Sequence, residues 1–579
     1  MSYFGGRSTA DIPARFPQKE QNMLAGFDPN NITDLQGARQ AIVMVLNLVE
    51  DLQAENENLR QENQRLRDEM SRLKGEQGKP GIKPNLKQKE TGDHSSEIER
   101  KKSKLRRKAS LPRQKRNKVA TIKIDREVKL KVDLEPLPKD AIFKGYQPVV
   151  VQDIKIQTDT IRFQKEKYYS PSLGKTYLAE LPPGYEGEFG PGVKSLAIVL
   201  YFSANVSEPK ICELFSHAGL QISAGQLSKF LIKDQQTFHA EKDALYFAGL
   251  HSSPWQHLDD TGTRVNGQNQ HCHIICNPLY TAYFTTEKKD RLTVLDGLMN
   301  FEERTYQLNA EAYQFMETFR LPVRVMHQLL TFPQNRAFSE TEFISLLEAD
   351  LPALGPIQRL HVLEAAAIAA YHAQLEFPVV RLLVCDDAPQ FKLVTEELAL
   401  CWVHEGRHYK KLSPWVDYHR QLLETFRGKF WDFYDQLLVF RQSPTQVEQK
   451  RLSEAFDELF STVTGYDALD ERIAKTLEKK SSLLMVLNHP EIPLHNNPAE
   501  LGARQRVRKR DVSFGPRTRD GTLAWDTFMS LAETAKKLGV SFIDYIHDRI
   551  SGADQMPGLA DLITQRAQEL QLGASWESL

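Results

Sequence analysis

A chain of 579 residues is too long for a single hydrophobic core, and 41% hydrophobic with 26% charged residues describes a soluble, largely folded protein rather than a disordered one. Five cysteines (Cys212, Cys272, Cys276, Cys385 and Cys401) are too few for a disulfide scaffold at this length and fit a reducing compartment. The formal net charge of -1 conceals a block from Arg100 to Lys118 with eleven Lys or Arg in nineteen positions and no acid, which points to a polyanionic partner.

Residues 1–34 are polar and irregular, without the apolar core or cleavage site of a signal peptide. No apolar stretch approaches the ~18–20 residues that cross a bilayer, so a cytoplasmic protein with no membrane partner is expected. Over 35–74 the sequence repeats in heptads. Ile42, Val49, Asn56, Asn63 and Met70 occupy one seam position, and Val45, Leu52, Leu59, Leu66 and Leu73 the other. That spacing predicts a coiled coil and hence a homo-oligomer, and the two seam asparagines favour a parallel dimer in fixed register. The competing reading is a lone amphipathic helix packed on its own domain. It is disfavoured because the opposite face is almost wholly Glu, Gln, Arg and Asn.

Residues 75–118 begin as a Gly-, Pro- and Lys-rich linker and end in the basic tract, where Lys101, Lys102, Arg106, Arg107 and Lys108 are candidate phosphate contacts. A bZIP protein carries its basic helix before the zipper; here it follows, across a Pro/Gly break, which removes that geometry. From 119 to 190, alternation in ATIKIDREVKLKVDL, VVVQDIKIQ and IRFQKEKYYS predicts a small β-rich module. Residues 191–250 switch to helical periodicity. The run SEPKICELFSHAGLQISAGQLSKFLIK has helix-turn-helix spacing with Ser223 as a cap and Gln226, Lys229 and Lys233 as candidate DNA contacts, although ordinary helical packing explains it equally well.

Acidic residues then recur at predicted strand ends. PWQHLDDTGTRV carries Asp259 and Asp260, and FPVVRLLVCDDAPQF is a buried-type strand ending in Asp386 and Asp387. Between them CHIICNPLYTAYFTT reads as a hairpin around Asn277-Pro278. In LHNNPAELGARQRVRKR, Asn497 is a predicted N-cap and Glu500 completes a capping box. Arg504 and Arg508, one and two turns on, with Lys509 and Arg510, are placed to hold a polyanion. Strand-end carboxylates and a helical Glu suit two Mg²⁺ ions, which are hard and take carboxylate oxygens. Chemistry alone leaves open which Asp of each pair faces the site. On a strand, His271 and His273 share one face while Cys272 and Cys276 share the other, so no zinc site is expected there, and Cys401 with His404 lacks a second pair.

Through these motifs the segment from Asp259 onward resembles the catalytic domain of the IS66 family of bacterial insertion-sequence transposases. DDTGTRV is similar to the family's Asp-Glu-Thr-x-x-Arg-Val, and Cys401, Trp402, His404 and Arg407 reproduce its Cys-Trp-x-His segment. NNPAELGARQRVRKR and SLAETAKKLGVSFIDYI match its terminal signature. The resemblance implies an RNase H-like α/β fold with a DDE triad of Asp259, Asp386 and Glu500. These would bind two Mg²⁺, with Mn²⁺ as a substitute, and His257, Thr261, His404 and Asn497 would support them. It implies cleavage at transposon ends, strand transfer into target DNA, and accessory proteins from the same element in a nucleoid-associated setting. The alternatives are a non-catalytic DNA-binding protein derived from a transposase and a coiled-coil scaffold. The expected architecture is a flexible N-terminus (1–34), coiled coil (35–74), linker and basic tract (75–118), β-rich module (119–190) and helix-turn-helix-like domain (191–250). A catalytic domain (251–510) with helical insertions at about 300–376 and 410–488, and a C-terminal helical element (511–579), complete it. The chain departs from the family in lacking the cysteines of a zinc module before Cys212 and in the length of the 300–376 segment.

Overall fold

The computed structural model describes residues 34–73, 124–132, 141, 144–154, 156–185, 187–375 and 377–577. The basic tract, with Lys101, Lys102, Arg106, Arg107 and Lys108, and the first 33 residues lie outside the described set.

The heptad segment is one helix, α1 (Leu35–Leu73), begun by Asp34, whose carboxylate accepts from the Gly37 amide at 2.6 Å. Residues 124–166 differ from expectation. Among the described residues of the expected β-rich module no strand is assigned before Lys167, and β1 (Lys167–Ser170) and β2 (Lys175–Leu178) form its one hairpin. The alternating apolar residues there, such as Val128, Leu130, Val151 and Ile154, are exposed. Alternation makes a strand only where a neighbour supplies the hydrogen bonds and covers one face.

Helical periodicity then takes over in α2 (Pro191–Ile198), α3 (Glu208–His217), α4 (Ala224–Ile232) and α5 (Gln236–His251). The α3–α4 turn passes through Gly219 at φ 87°, and Ser223 caps α4 by accepting from the Gln226 amide at 3.1 Å. Lys233 is ion-paired to Asp520 at 2.5 Å, so of the three candidate DNA contacts on this helix pair it is already engaged.

The site is built on a five-stranded sheet of order β5-β4-β3-β8-β9: β3 (Trp255–Val265), β4 (Gln268–Cys276), β5 (Thr281–Thr286), β8 (Leu382–Cys385) and β9 (Glu397–Leu400). The first three strands form an antiparallel meander, and β8 and β9 run parallel to β3. The sheet separates two cores. Leu258, Ile275, Leu383 and Cys385 belong to one, with α5 and the C-terminal helices α16 (Arg519–Leu538), α17 (Phe542–Ile550) and α18 (Leu559–Leu570). Trp255, Leu382, Val384 and Leu400 face the other, an aromatic core around Trp402, Phe430, Phe456 and Phe460.

The edge strand β5 is closed by α16. Amides of Thr281, Tyr283 and Thr285 donate to Thr534 Oγ1 (3.1 Å), Ser530 Oγ (3.0 Å) and Asp526 Oδ2 (2.7 Å). Two residues of strand and four of helix rise by similar distances, ~6–7 Å, so one stripe of α16 matches every outward amide. Lys537, a further turn along, donates to the carbonyls of Asn277 and Tyr280 at the β4–β5 turn. The SLAETAK motif is thus a clamp on the sheet.

The long β5–β8 connection is mixed rather than purely helical. It holds α6 (Arg291–Leu298), β6 (Thr305–Gln307), α7 (Ala310–Thr318), α8 (Val323–Leu329), β7 (Ala337–Ser339), α9 (Glu340–Asp350) and α10 (Pro356–Ala373), with β6 and β7 paired. Helix α10 is buried along Ala365–Tyr371 and leads into β8. The second insertion is helical: α11 (Trp402–Lys411), α12 (Asp417–Phe440), α13 (Gln446–Phe460) and α14 (Asp467–Leu477) precede α15 (Asn497–Ser513).

Candidate active site

Strand register sets the first two acids side by side. Trp255 pairs with Leu382 and His257 with Val384, and two residues further on lie Asp259 and Asp386. Alternation gives both acids the face of the aromatic core, at the level where β8 ends. Burial, followed by the charge of Asp386 and then that of Glu500, pushes the Asp259 carboxyl up to about 7, while the Asp260 amide, donating to Asp259 Oδ1 at 2.9 Å, opposes the rise. All three sequence-predicted acids are therefore electrostatic neighbours. Asp386 Oδ1 accepts from the Ala388 amide at 3.2 Å.

The adjacent acids are engaged otherwise. Asp260 accepts from Lys289 at 3.2 Å and Gln390 at 2.7 Å. Asp387 is paired with Lys392 at 2.7 Å and with Lys479 at 2.6 Å. Burial favours the neutral form of Asp387, but the two lysines outweigh it and hold its carboxyl below the usual range. Lys479 also reaches Glu405 at 3.2 Å, and Arg472 pairs with the same carboxylate. The helical insertion is thereby tied to the β8 turn and to α11.

Glu500 enters from the first turn of α15. The helix lies close on β3 and β4 because of Gly502: a Cβ there would stand 2.8 Å from Ile274 Cγ2. Glu500 Oε2 accepts from Arg407 at 3.0 Å and lies 3.7 Å from Arg504, and Oε1 is 3.6 Å from His404 Nδ1. Oε1 is buried and has no hydrogen-bond partner, as is His404 Nδ1. Burial lowers the His404 pKa against the pull of Glu500. Asp259, Thr261, His404, Arg407, Glu500 and Arg504 line one open groove, which continues to Arg508.

The expected cap is corrected. Asn497 is the first helical residue, makes no side-chain cap, and its buried Oδ1 has no partner. Its neighbour Asn496, fully buried, is the organiser. Asn496 Nδ2 donates to Leu258 O at 2.7 Å, so its Oδ1 is the atom 2.9 Å from His257 Nδ1, and that histidine nitrogen carries the proton. Burial drives His257 down to about 3, which keeps it neutral. The Asn496 amide donates to Cys401 Sγ at 3.2 Å, and the Trp402 amide to Leu494 O at 3.0 Å. One asparagine therefore joins β3, the start of α11 and the start of α15. The doublet Asn496-Asn497 was visible in the sequence; which member points inward depends on where the helix begins.

The arginine-rich helix sorts by phase. Arg504 and Arg508 are exposed on the groove side. Lys509, expected to bind DNA, is fully buried: its ammonium sits 3.1 Å over the Tyr201 ring and donates to Tyr201 O. Burial lowers its pKa to about 6, opposed by Glu208. The reason is position: Ala499, Gly502, Ala503, Arg506 and Lys509 form the buried stripe of α15. Arg506 pairs with Asp526 at 3.0 Å inside the same interface. Arg510 is partly buried and donates to Gly262 O at 2.6 Å, fixing the β3–β4 hairpin.

Among the described residues, Cys401, His404 and Glu500 bring one possible ligand atom each within 4.8 Å of one another. Burial pushes the Cys401 thiol up to about 12, so at neutral pH the sulfur serves as a hydrogen-bond acceptor. No described helix is long and apolar enough to cross a membrane.

Residues 369–523 match the family model described as transposase IS66 family. That segment contains Asp386, the Cys401–Arg407 stretch and Glu500, while Asp259 precedes it. The chain is also similar to uncharacterized protein y4jO of Sinorhizobium fredii (strain NBRC 101917 / NGR234), with 33% identity over 324 residues, 55% of this chain and 99% of that protein.

Proposed function

The chain belongs to the IS66 family of transposases, and from that premise we propose that it cuts DNA at the ends of a mobile element and joins them to target DNA. Asp259, Asp386 and Glu500 form the catalytic triad in this reading. The sheet order β5-β4-β3-β8-β9, with a meander followed by two parallel strands, supports an RNase H-like catalytic domain.

The observation that carries the proposal is geometric: the register of β3 on β8 puts Asp259 and Asp386 on one face of the sheet, and Glu500 lines the same groove as Asp259. Asp259 feels the charges of both Asp386 and Glu500, an arrangement that favours a bound cation between them. The donor set is all hard oxygen, and the partnerless Glu500 Oε1 is a vacant acceptor, so the residues fit divalent magnesium or manganese. Two such ions would supply the positive charge that activates an attacking hydroxyl and stabilises the departing oxygen.

The protein's own groups do the rest. Arg504 and Arg508 offer the groove two guanidinium groups that bind phosphate. Arg407 neutralises Glu500 and must share it once a cation is held. Neutral His257, oriented by Asn496, fixes β3 two residues before Asp259. Two copies acting together would hold both element ends, with accessory proteins of the element assisting.

Substitution Asp259→Asn tests the assignment. The variant is expected to bind a labelled end fragment like the parent and to lose divalent-cation-dependent nicking by at least ~10³-fold, the scale of loss on removing a charge-stabilising catalytic group. Nicking that persists in the variant overturns the site. A parent chain that binds ends yet never cuts, with Mg²⁺ or Mn²⁺ and with the accessory proteins, supports the non-catalytic reading.

A further inference from the structure

The proposed reaction leaves the Cys401 thiol and the His404 imidazole without a task, yet both stand beside Glu500. Cys401 immediately precedes α11 and His404 is the third residue of that helix, so their spacing brings thiol and imidazole together at one helix start. The start of α15 is laced against it. The Asn496 amide donates to Cys401 Sγ at 3.2 Å, and the Trp402 amide to Leu494 O at 3.0 Å. With the two first turns fixed together, the Glu500 carboxylate reaches the pair, its Oε1 lying 3.6 Å from His404 Nδ1. Each of the three residues brings one ligand atom within 4.8 Å of the others. Sequence spacing supplied two ligands without a third, and the third comes from a different helix.

Two of these atoms are idle. His404 Nδ1 and Glu500 Oε1 are buried, and neither has a hydrogen-bond partner among the described residues. Glu500 is 8% exposed and Cys401 1%. Buried polar atoms are normally satisfied, and 3.6 Å is too long for the two to satisfy each other. It is close to the ~3.4 Å that separates a nitrogen and an oxygen ligand held ~2.0–2.2 Å from one tetrahedral ion.

The donor set selects the ion. One sulfur, one imidazole nitrogen and one carboxylate oxygen suit zinc, a borderline-soft cation often held by three protein ligands with a fourth position open. Here the open side is the groove that His404 and Glu500 line. Magnesium is hard, takes oxygen, and is disfavoured by the sulfur. Filling the position also disturbs the acids. Glu500 Oε2 already accepts from Arg407 at 3.0 Å and lies 3.7 Å from Arg504, so Oε1 is its one unengaged oxygen. An ion held by Cys401, His404 and Oε1 takes that oxygen, and its charge repels a second cation beside Asp259 and Asp386.

We propose that Cys401, His404 and Glu500 form a zinc site that shares Glu500 with the catalytic acids, so that zinc and the catalytic magnesium exclude one another and zinc switches nicking off. Binding replaces the Cys401 S–H bond by a sulfur–zinc bond and releases the proton to water. The inhibitory part rests on the catalytic reading of Glu500, whereas the binding part stands without it.

Cobalt(II), whose spectrum reports its ligands, tests the binding part in the full-length chain. Titrating the parent with Co²⁺ is expected to give a sulfur-to-cobalt charge-transfer band and the strong visible bands of a tetrahedral centre, both removed by added Zn²⁺. Cys401→Ser, which keeps an acceptor for the Asn496 amide, should abolish the charge-transfer band, and His404→Ala should weaken cobalt binding at least ~10-fold. Asp259→Asn should keep the full spectrum. No band in the parent, a band that survives Cys401→Ser, or one lost in Asp259→Asn overturns the site. Nicking is read separately. At fixed Mg²⁺, the Zn²⁺ concentration that halves cutting should be at least ~10-fold higher for Cys401→Ser than for the parent. Equal sensitivity of the two overturns the switch. A parent that shows the cobalt spectrum and never cuts counts against the catalytic reading and supports the zinc site, so the two failures are distinct.

Discussion

Lys509 and Arg508 are neighbours with opposite fates, and the difference lies in helix phase. A run of basic residues reads as a solvated, DNA-facing surface. Yet Ala499, Gly502 and Ala503 in the same helix already mark its packed face, and continuing that stripe by three and then three more residues reaches Arg506 and Lys509. The information was present in the spacing of small residues and was masked by charge. The buried ammonium also has a titration signature. Its folded pKa of about 6 lies below the ordinary 10.5, because burial outweighs Glu208. Between those values the unfolded chain holds a proton that the folded chain has released, so this group makes stability rise with pH across the window. Its full penalty remains below about 6. The aromatic face of Tyr201, 3.1 Å away, favours the charged form and trims the effect. Lys509→Met should therefore gain most over the parent near pH 6 and least near pH 9, in denaturant melts at both values. A difference independent of pH would refute the neutral lysine. Asn496 teaches the same lesson from the other side. Nothing local tells it from Asn497, since its partners Leu258 and His257 are about 240 residues away.

At the scale of elements, what could be read was what is local or periodic. The helix over the heptad segment, the hairpin around Asn277-Pro278 and the strand that Asp386 follows are each specified within a short window, and the structure contains each. Among the described residues before Lys167 the alternation is not matched by an assigned strand, because alternation describes one strand and says nothing about whether a partner exists. For α1, the seam was legible, whereas the docking of its back was not. Asn47 and Glu50 look like ordinary outer-face polar residues until the starts of α12 and α14 are placed against them. That docking has an expected signature in hydrogen exchange. Glu50→Ala leaves the amides of Trp415 and Val416 without their acceptor, at a cost of about 1 kcal/mol for partly buried donors. Exchange should rise at 412–420 and in the first half of α1, while β3 and β8 stay protected. Unchanged protection at α12 would mean that the clamp contributes nothing.

For the molecule as a whole, the proposed triad of Asp259, Asp386 and Glu500 came from family motifs rather than from any local pattern. The register that sets Asp259 beside Asp386, and the glycine that lets α15 approach, are properties of the assembled sheet. The groove has a wall of charged side chains, and in the proposed reading it contributes to DNA binding electrostatically. Arg504→Ala and Arg508→Ala should each weaken DNA binding alike for all sequences and reduce the slope of log affinity against log salt by about 1. A loss confined to one sequence would instead indicate base reading. The covering of β5 by Asp526, Ser530 and Thr534 has a further consequence. An open row of amides at a sheet margin is a template on which foreign strands can grow into fibrils. With every outward amide of β5 already satisfied by a helix of the same chain, this margin is shut to such growth.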